Sequence, residues 1–277
     1  MHRAALHSFS FNGDRKMKTE KPKLYIASCS FGKDSIATIL LALENGEPLD
    51  RVVFAEVMFD NERNISGELP EHIEWIRNVA VPKLESFGVK VDIVRSSDDY
   101  LKEFFKVRGK KTKDPSRIGK YQGFLIGGFC KLNTECKVKP IRNYIKEYAK
   151  DFDVVQYVGI AIDEPIRLQR LKEGRISLLA KYGYTEKMAM ALSEKYGLVS
   201  PIYADGTRGG CWFCPNAKIK SYLNLRKNHP HLWNELKILD KEDNKVSTKF
   251  KRELTLSDLE KRMDALEASE RMQLSLF

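Results

Sequence analysis

Lys23-Leu24-Tyr25-Ile26-Ala27-Ser28-Cys29-Ser30-Phe31-Gly32-Lys33-Asp34-Ser35 passes from an apolar run into a hexapeptide rich in glycine and hydroxyls. Directly after it, Ile36, Ile39, Leu40 and Leu43 recur at helical spacing and stop near Asn45-Gly46. The order is strand, tight turn, helix. Working outward, Arg51–Phe59 is expected as a second buried strand, Leu69–Phe87 as a helix, Val89–Val94 as a third strand and Val154–Ile162 as a fourth. Strands alternating with helices predict an α/β fold: a parallel sheet with helices on both faces, joined by right-handed crossovers. Such a sheet takes ligands outside the carboxyl ends of its strands.

The composition narrows the class. A chain of 277 residues that is 42% hydrophobic and 31% charged has material for a large core and is neither disordered nor fibrous. Its longest apolar pieces, such as Gly123–Cys130, fall well short of the roughly 18 residues of a membrane span. No membrane partner is expected. Met1–Lys21 lacks the apolar run of a signal peptide, and five cysteines without such a signal suit a reducing, cytoplasmic setting. The organisation expected is an extension over 1–20, an α/β domain over 21–185 with a basic insertion at 106–128, and a helical part over 186–277 in which strands cease. Helical stretches at Ala189–Tyr196, Lys218–Lys227 and Leu254–Met272 flank a Gly/Cys-rich turn, Gly206–Pro215. The apolar stripe of the last stretch serves this chain's own core or a partner subunit.

Ser28–Ser35 can cradle phosphate. A glycine lets phosphate oxygens approach the main chain, helix-terminal amides bind the anion, and the Ser30 and Ser35 hydroxyls and Lys33 ammonium stand close by. No GxxxxGK[ST] occurs in the chain. The plainer alternative is a Gly/Ser turn with Asp34 and Ser35 capping the helix.

Ser30-Phe31-Gly32-Lys33-Asp34-Ser35 resembles the SGGKDS pyrophosphate (PP) loop of the ATP-pyrophosphatase superfamily, in the branch of phosphoadenosine-phosphosulfate (PAPS) reductases. The resemblance runs from about Lys23 to about Lys220. It includes Phe59-Asp60, Pro70-Glu71, the Cys-x5-Cys followed by Lys137-Val138-Lys139-Pro140-Ile141, Gly159–Glu164, and Gly210-Cys211-Trp212-Phe213-Cys214-Pro215. Phe31 stands where the family usually has glycine. The resemblance implies a Rossmann-like (HUP-type) sheet and an adenine-nucleotide site for ATP with Mg2+. That site would comprise Ser28, Ser30, Gly32, Lys33, Asp34, Ser35 and Asp60, with Lys33, Ser35 and Arg167 as the catalytic candidates.

The cysteines form two pairs, Cys130 with Cys136 and Cys211 with Cys214, while Cys29 reads as a small buried hydrophobe. Four thiolates from two turns suit Zn2+ or a [4Fe–4S] cluster equally by geometry. Reduced buried thiols or a redox CxxC are the alternatives. The resemblance tips the expectation towards the cluster, although five residues separate the first pair and the relatives' pair is adjacent or nearly so.

The implied reaction is cleavage or activation at the α-phosphate, in sulfur transfer or nucleic-acid modification. PAPS reductases carry a nucleophilic cysteine near the C-terminus, whereas Cys214 is the last cysteine here, which argues against true sulfonucleotide reduction. A nucleotide-binding subunit of a larger modification or defence assembly is the reading from another class. The net charge of +10 is concentrated: Lys102–Lys150 holds 14 Lys/Arg against four acids, and the rest of the chain balances. A mobile loop carrying Lys106, Arg108, Lys110, Lys111, Lys113, Arg117 and Lys120, with Tyr121 and Phe124 as stacking surfaces, is expected to contact tRNA or DNA.

Overall fold

The computed structural model describes residues 21–126, 130–204 and 209–274, so the 1–20 extension lies outside the described residues. The first strand and helix are β1 (Lys23–Ser28) and α1 (Lys33–Glu44). After them come β2 (Arg51–Glu56), β3 (Met58–Asp60), β4 (Ile65–Ser66), α2 (Pro70–Trp75), α3 (Val81–Ser86), β5 (Lys90–Arg95), α4 (Tyr100–Phe104) and β6 (Tyr121–Gly123). The second half holds α5 (Lys139–Tyr148), β7 (Asp153–Val158), α6 (Pro165–Leu168), β8 (Arg175–Ile176), α7 (Leu178–Lys181) and α8 (Glu186–Lys195). It ends with α9 (Ile219–Asn228), α10 (Pro230–Asp240), β9 (Lys245–Ser247) and α11 (Leu256–Leu274).

The fold is α/β, with a five-stranded sheet in the order β5-β2-β1-β7-β8 and every pair parallel. Both faces are covered, and β1 shows why. Tyr25 and Ala27 pack towards α1 in one core, whereas Leu24 and Ile26 pack with Ile141, Tyr144 and Ile145 of α5 in another. Alternate side chains point to opposite faces, so a strand covered on both sides must be apolar throughout. The chain moves from β1 to β2 on one side and enters β7 on the other. The switch point therefore lies between β1 and β7, at the loop Cys29–Gly32.

Several expectations need correction. The second strand breaks at Val57, and β3 turns away to pair antiparallel with β4, carrying Asp60 off the sheet. The helix over Leu69–Phe87 is widened at Ile76–Ala80, where Val81 N donates to Ile76 O. Pro82 lacks an amide and its ring crowds the preceding turn, which accounts for the wider turn. Strands do not cease at Glu186, because β9 pairs in parallel with β6. This pairing ties down the basic segment, which is no free loop: Val107 bridges Tyr121, and across a hairpin-like excursion Arg108 N donates to Lys120 O while Arg108 O accepts from Gly119 N.

Packing divides the chain differently from a boundary at 185/186. α7 and α8 belong with α1, in a core that reaches Leu198. A second core joins Val57, Phe59, Tyr100, Phe104, Phe124 and Cys136 to α9, α10 and α11. Leu256, Leu259 and Met263 are buried there, so the α11 stripe serves this chain's own core. Among the described residues, no helix is long and apolar enough to cross a membrane.

Phe31 holds the turn between β1 and α1. Its φ is +56°, a region where a Cβ is strained, and its ring is buried edge-on against Phe54 and Trp75. Removing a buried phenyl costs about 3–5 kcal/mol, and relieving the backbone returns about 1 kcal/mol. Phe31→Gly should therefore lower stability by about 2–4 kcal/mol in urea denaturation. A variant as stable as the parent would show that backbone strain, not ring burial, dominates this turn.

Candidate functional site

The loop at the switch point is shaped from inside. Ser35 Oγ donates to Gly32 O (2.9 Å) and accepts from Ser30 N (3.2 Å). Phe31 N donates to the Cys29 sulfur (3.2 Å), and Cys29 is buried with its thiol pushed up to about 11 by that burial. Gly32 is the N-cap of α1 and offers no side chain to satisfy the first amides. Lys33 N donates to the Tyr203 hydroxyl at 3.1 Å. The amides of Asp34 and Ser35 have no protein acceptor among the described residues. Gly159, where the chain leaves β7, passes directly over them. A Cβ there would stand 2.8 Å from Ser35 N and 2.9 Å from Asp34 C.

Charges surround this opening. Lys33 Nζ is held by Asp34 (2.8 Å) and Glu186 (2.7 Å), and the two carboxylates keep the ammonium above its ordinary value against its desolvation. Asp34 is raised, chiefly by burial, with Glu186 and Glu164 adding to the effect against Lys33. Arg167 pairs with Glu164 on the loop after β7 and is mostly exposed. Ser28 is the last residue of β1, and its hydroxyl accepts from Gln156 rather than facing the loop. Both Asp60 carboxylate oxygens are engaged, by the amides of Glu62 and Arg63 and by the Arg63 guanidinium. Burial alone would raise the Asp60 carboxyl, but these bonds hold it below its usual range. Asp60 is thus a turn-forming residue in this arrangement.

His72 and Glu68 escaped the reading of the sequence, and Lys137 entered it only as part of the stretch after the first cysteine pair. His72 is buried, with Nδ1 2.7 Å from Ser200 Oγ, its ring stacked on Trp75 and a hydrogen bond to the Ser30 backbone. Glu68 is buried and its carboxyl makes no hydrogen bond among the described residues, so burial raises it. Lys137 is half-buried and pairs with no acid among the described residues, yet its charge acts on Cys29, Glu68, His72 and Cys211. Its charge is thus felt both at Cys29 of the loop and at Cys211 of the CxxC. Only Lys137 had a local signal, since it directly follows the first cysteine pair.

The cysteines do not close a four-thiolate centre as they stand. The Cys211 thiol is pushed well up, by burial first and then by the nearby charges of Glu68, Cys214 and Cys130. Cys136, in contrast, is buried in the second core and its thiol donates to Asp98 O at 3.4 Å. A wide helical turn over Asn133–Val138 sets that direction. No group of three or more His, Cys, Asp or Glu among the described residues is arranged to hold a metal ion. Part of the expected turn Gly206–Pro215 lies outside the described residues; from Gly209 it is braced by Lys251, which donates to Pro215 O and Ala217 O, each at 2.8 Å.

The basic excursion leaves the carboxyl edge of the sheet after β5, the edge where the loop opens. Lys110, Lys111, Lys113 and Lys120 are exposed and make no ion pair among the described residues, while Arg117 pairs with Asp114. Phe124 cannot stack on a base, because it is fully buried between Phe104 and Phe250. Tyr121 leans edge-on against Phe105 and is half-buried. Neither protein-family models nor curated proteins match the chain.

The buried imidazole makes the site pH-sensitive. Desolvation holds His72 down to about 4, against about 6.5 unfolded. The unfolded chain then takes up the proton first, so the stability His72 contributes is lost as pH falls from about 6.5 towards 4. Between pH 7 and 4.5 the parent should lose roughly 2–3 kcal/mol more than His72→Gln in paired urea titrations. Parallel pH profiles would remove His72 as the titrating group.

Proposed function

We propose that this chain is a PP-loop enzyme of the PAPS reductase-like kind. It binds ATP or a related adenine nucleotide with Mg2+ at Ser30–Ser35 and cleaves or activates it at the α-phosphate, for sulfur transfer or modification of a nucleic acid. The observation that carries this reading is the pair of unpartnered amides at Asp34 and Ser35, beneath a glycine whose Cβ would fill the space, at the sheet's switch point. Such chemistry needs charge stabilisation and in-line positioning more than a dedicated base. The loop amides and Lys33 would hold the phosphates. Arg167 would approach from the loop after β7 once free of Glu164.

An iron–sulfur cluster or zinc belongs to the proposal through Cys130, Cys211 and Cys214, and no step is routed through it. The present direction of Cys136 does not fit the fourth ligand. One observation favours the second reading, a nucleotide-binding subunit without turnover of its own: Lys33 is already neutralised by Asp34 and Glu186.

Steady-state pyrophosphate release from Mg·ATP, with and without RNA or DNA, separates the two readings. The parent chain should turn over, and Lys33→Ala should reduce turnover by about a hundredfold or more with the fold intact. ATP binding without turnover would establish the subunit, and unchanged turnover in Lys33→Ala would remove the assignment. The nucleic-acid partner rests on the basic excursion. If four lysines meet phosphates, log K should fall with log salt at a slope of roughly −3 to −4. Changing Lys110, Lys111 and Lys113 to Ser should flatten that slope by about 2–3. The same slope in the variant would exclude the excursion as a nucleic-acid track.

A further inference from the structure

A cavity of about 450 Å3 opens beside the CxxC turn, away from the residues assigned to the nucleotide. One wall is α9, which presents Ser221, Asn224, Leu225 and Asn228. Their spacing of three, four and seven residues puts them on a single helical face. The facing wall is Cys211, Trp212 and Cys214, and the start of α2 closes the end with Leu69 and Glu71.

The polar groups here lack partners. The side chains of Asn216, Asn224 and Asn228 and the Ser221 hydroxyl make no hydrogen bond to protein among the described residues. Glu71 Oε2 is buried without a well-aligned donor, although His229 Nε2 stands 2.9 Å away. Half-buried Asn224 and Ser221, with Asn216 and Asn228 exposed at the rim, leave hydrogen-bonding groups free for a ligand beside apolar walls, the features of a binding pocket.

We propose that this cavity takes an unpaired nucleobase. A carboxamide offers one donor and one acceptor side by side, the pattern that matches a base edge, and Leu69, Trp212 and Leu225 supply apolar surface for the ring faces. A phosphate or carboxylate ligand would want cations inside, but the lining lysine, Lys218, is exposed at the helix start. Lys218 instead suits the phosphate attached to a base held deeper. The volume admits a nucleoside and not a folded segment. The proposal does not rest on the nucleotide loop, and it adds the acceptor's recognition element, bordered by Cys211.

The test is calorimetric titration of the intact chain, saturated with Mg·ATP, with cytidine, uridine and guanosine monophosphates, ribose 5-phosphate, and short single-stranded and duplex RNA and DNA. Base-containing probes should bind and ribose 5-phosphate should not. Asn224→Leu and Asn228→Leu should each weaken base binding by about tenfold. Lys33→Ala, titrated without ATP, should retain it, which separates this site from the nucleotide loop. Asn228 is exposed, so its variant carries the test if Asn224→Leu misfolds. Mononucleotides binding in preference to strands would identify a free nucleotide as the source, and single strands in preference to duplex would identify a nucleic acid. Equal binding of ribose 5-phosphate, unchanged affinity in Asn228→Leu, or no titration at millimolar concentration would each overturn the proposal.

Discussion

The Phe31 ring in the core is what the site depends on. At φ +56° the chain reverses sharply after Cys29, and this residue is held there because a buried phenyl outweighs the backbone strain. The reversal brings Ser30 N onto Ser35 Oγ, and the N-cap of α1 is Gly32, which has no side chain to receive the first amides. The helix therefore begins with open amides. A glycine would permit the same turn, but it would also permit others; the phenyl selects one.

The charges around the loop follow from those amides. A helix start is partly positive, and Lys33 adds a full charge, so without an anion the protein supplies its own carboxylates. Glu186 is half-exposed where it meets Lys33. A pair of that exposure is worth about 0–1 kcal/mol. Under the proposed function, a polyphosphate meeting amides and ammonium together would displace Glu186 with no rearrangement of the sheet. Tyr203 is the other substitute, since its hydroxyl receives the first amide of α1 and crowds the hydrogen of Gly32.

Much of this was legible in the sequence where the signal is local. The passage from KLYIASC into a helical period identifies β1, its loop and α1, and alternation of the same kind identifies the sheet. The short strands β8 and β9 were not legible, because two or three residues carry no period. Nor was the break at Val57, in a run from Val52 to Phe59 that is apolar save for Glu56 and whose two parts serve different cores. The loop's partners, Gly159, Glu186 and Tyr203, stand more than 120 residues away in the chain. Gly159 opens a stretch, Gly159–Glu164, that the resemblance singles out, but nothing local marks Glu186 or Tyr203. His72 and Glu68 read as ordinary helix-start polar residues, and only burial makes them exceptional.

Cys136 shows the same limit from the other side. Residue type and order group it with Cys130, but a helical widening of one residue per turn rotates a side chain enough to change what it faces. Here the widened turn Asn133–Val138 buries Cys136 with Phe104 and Phe124 and leaves Lys137, the next residue, half-buried with its charge acting on both Cys29 and Cys211. Returning Cys136 to the other three sulfurs would shift the helical phase of Lys137 as well. The cysteine set and the cation beside the loop are therefore linked through one backbone turn.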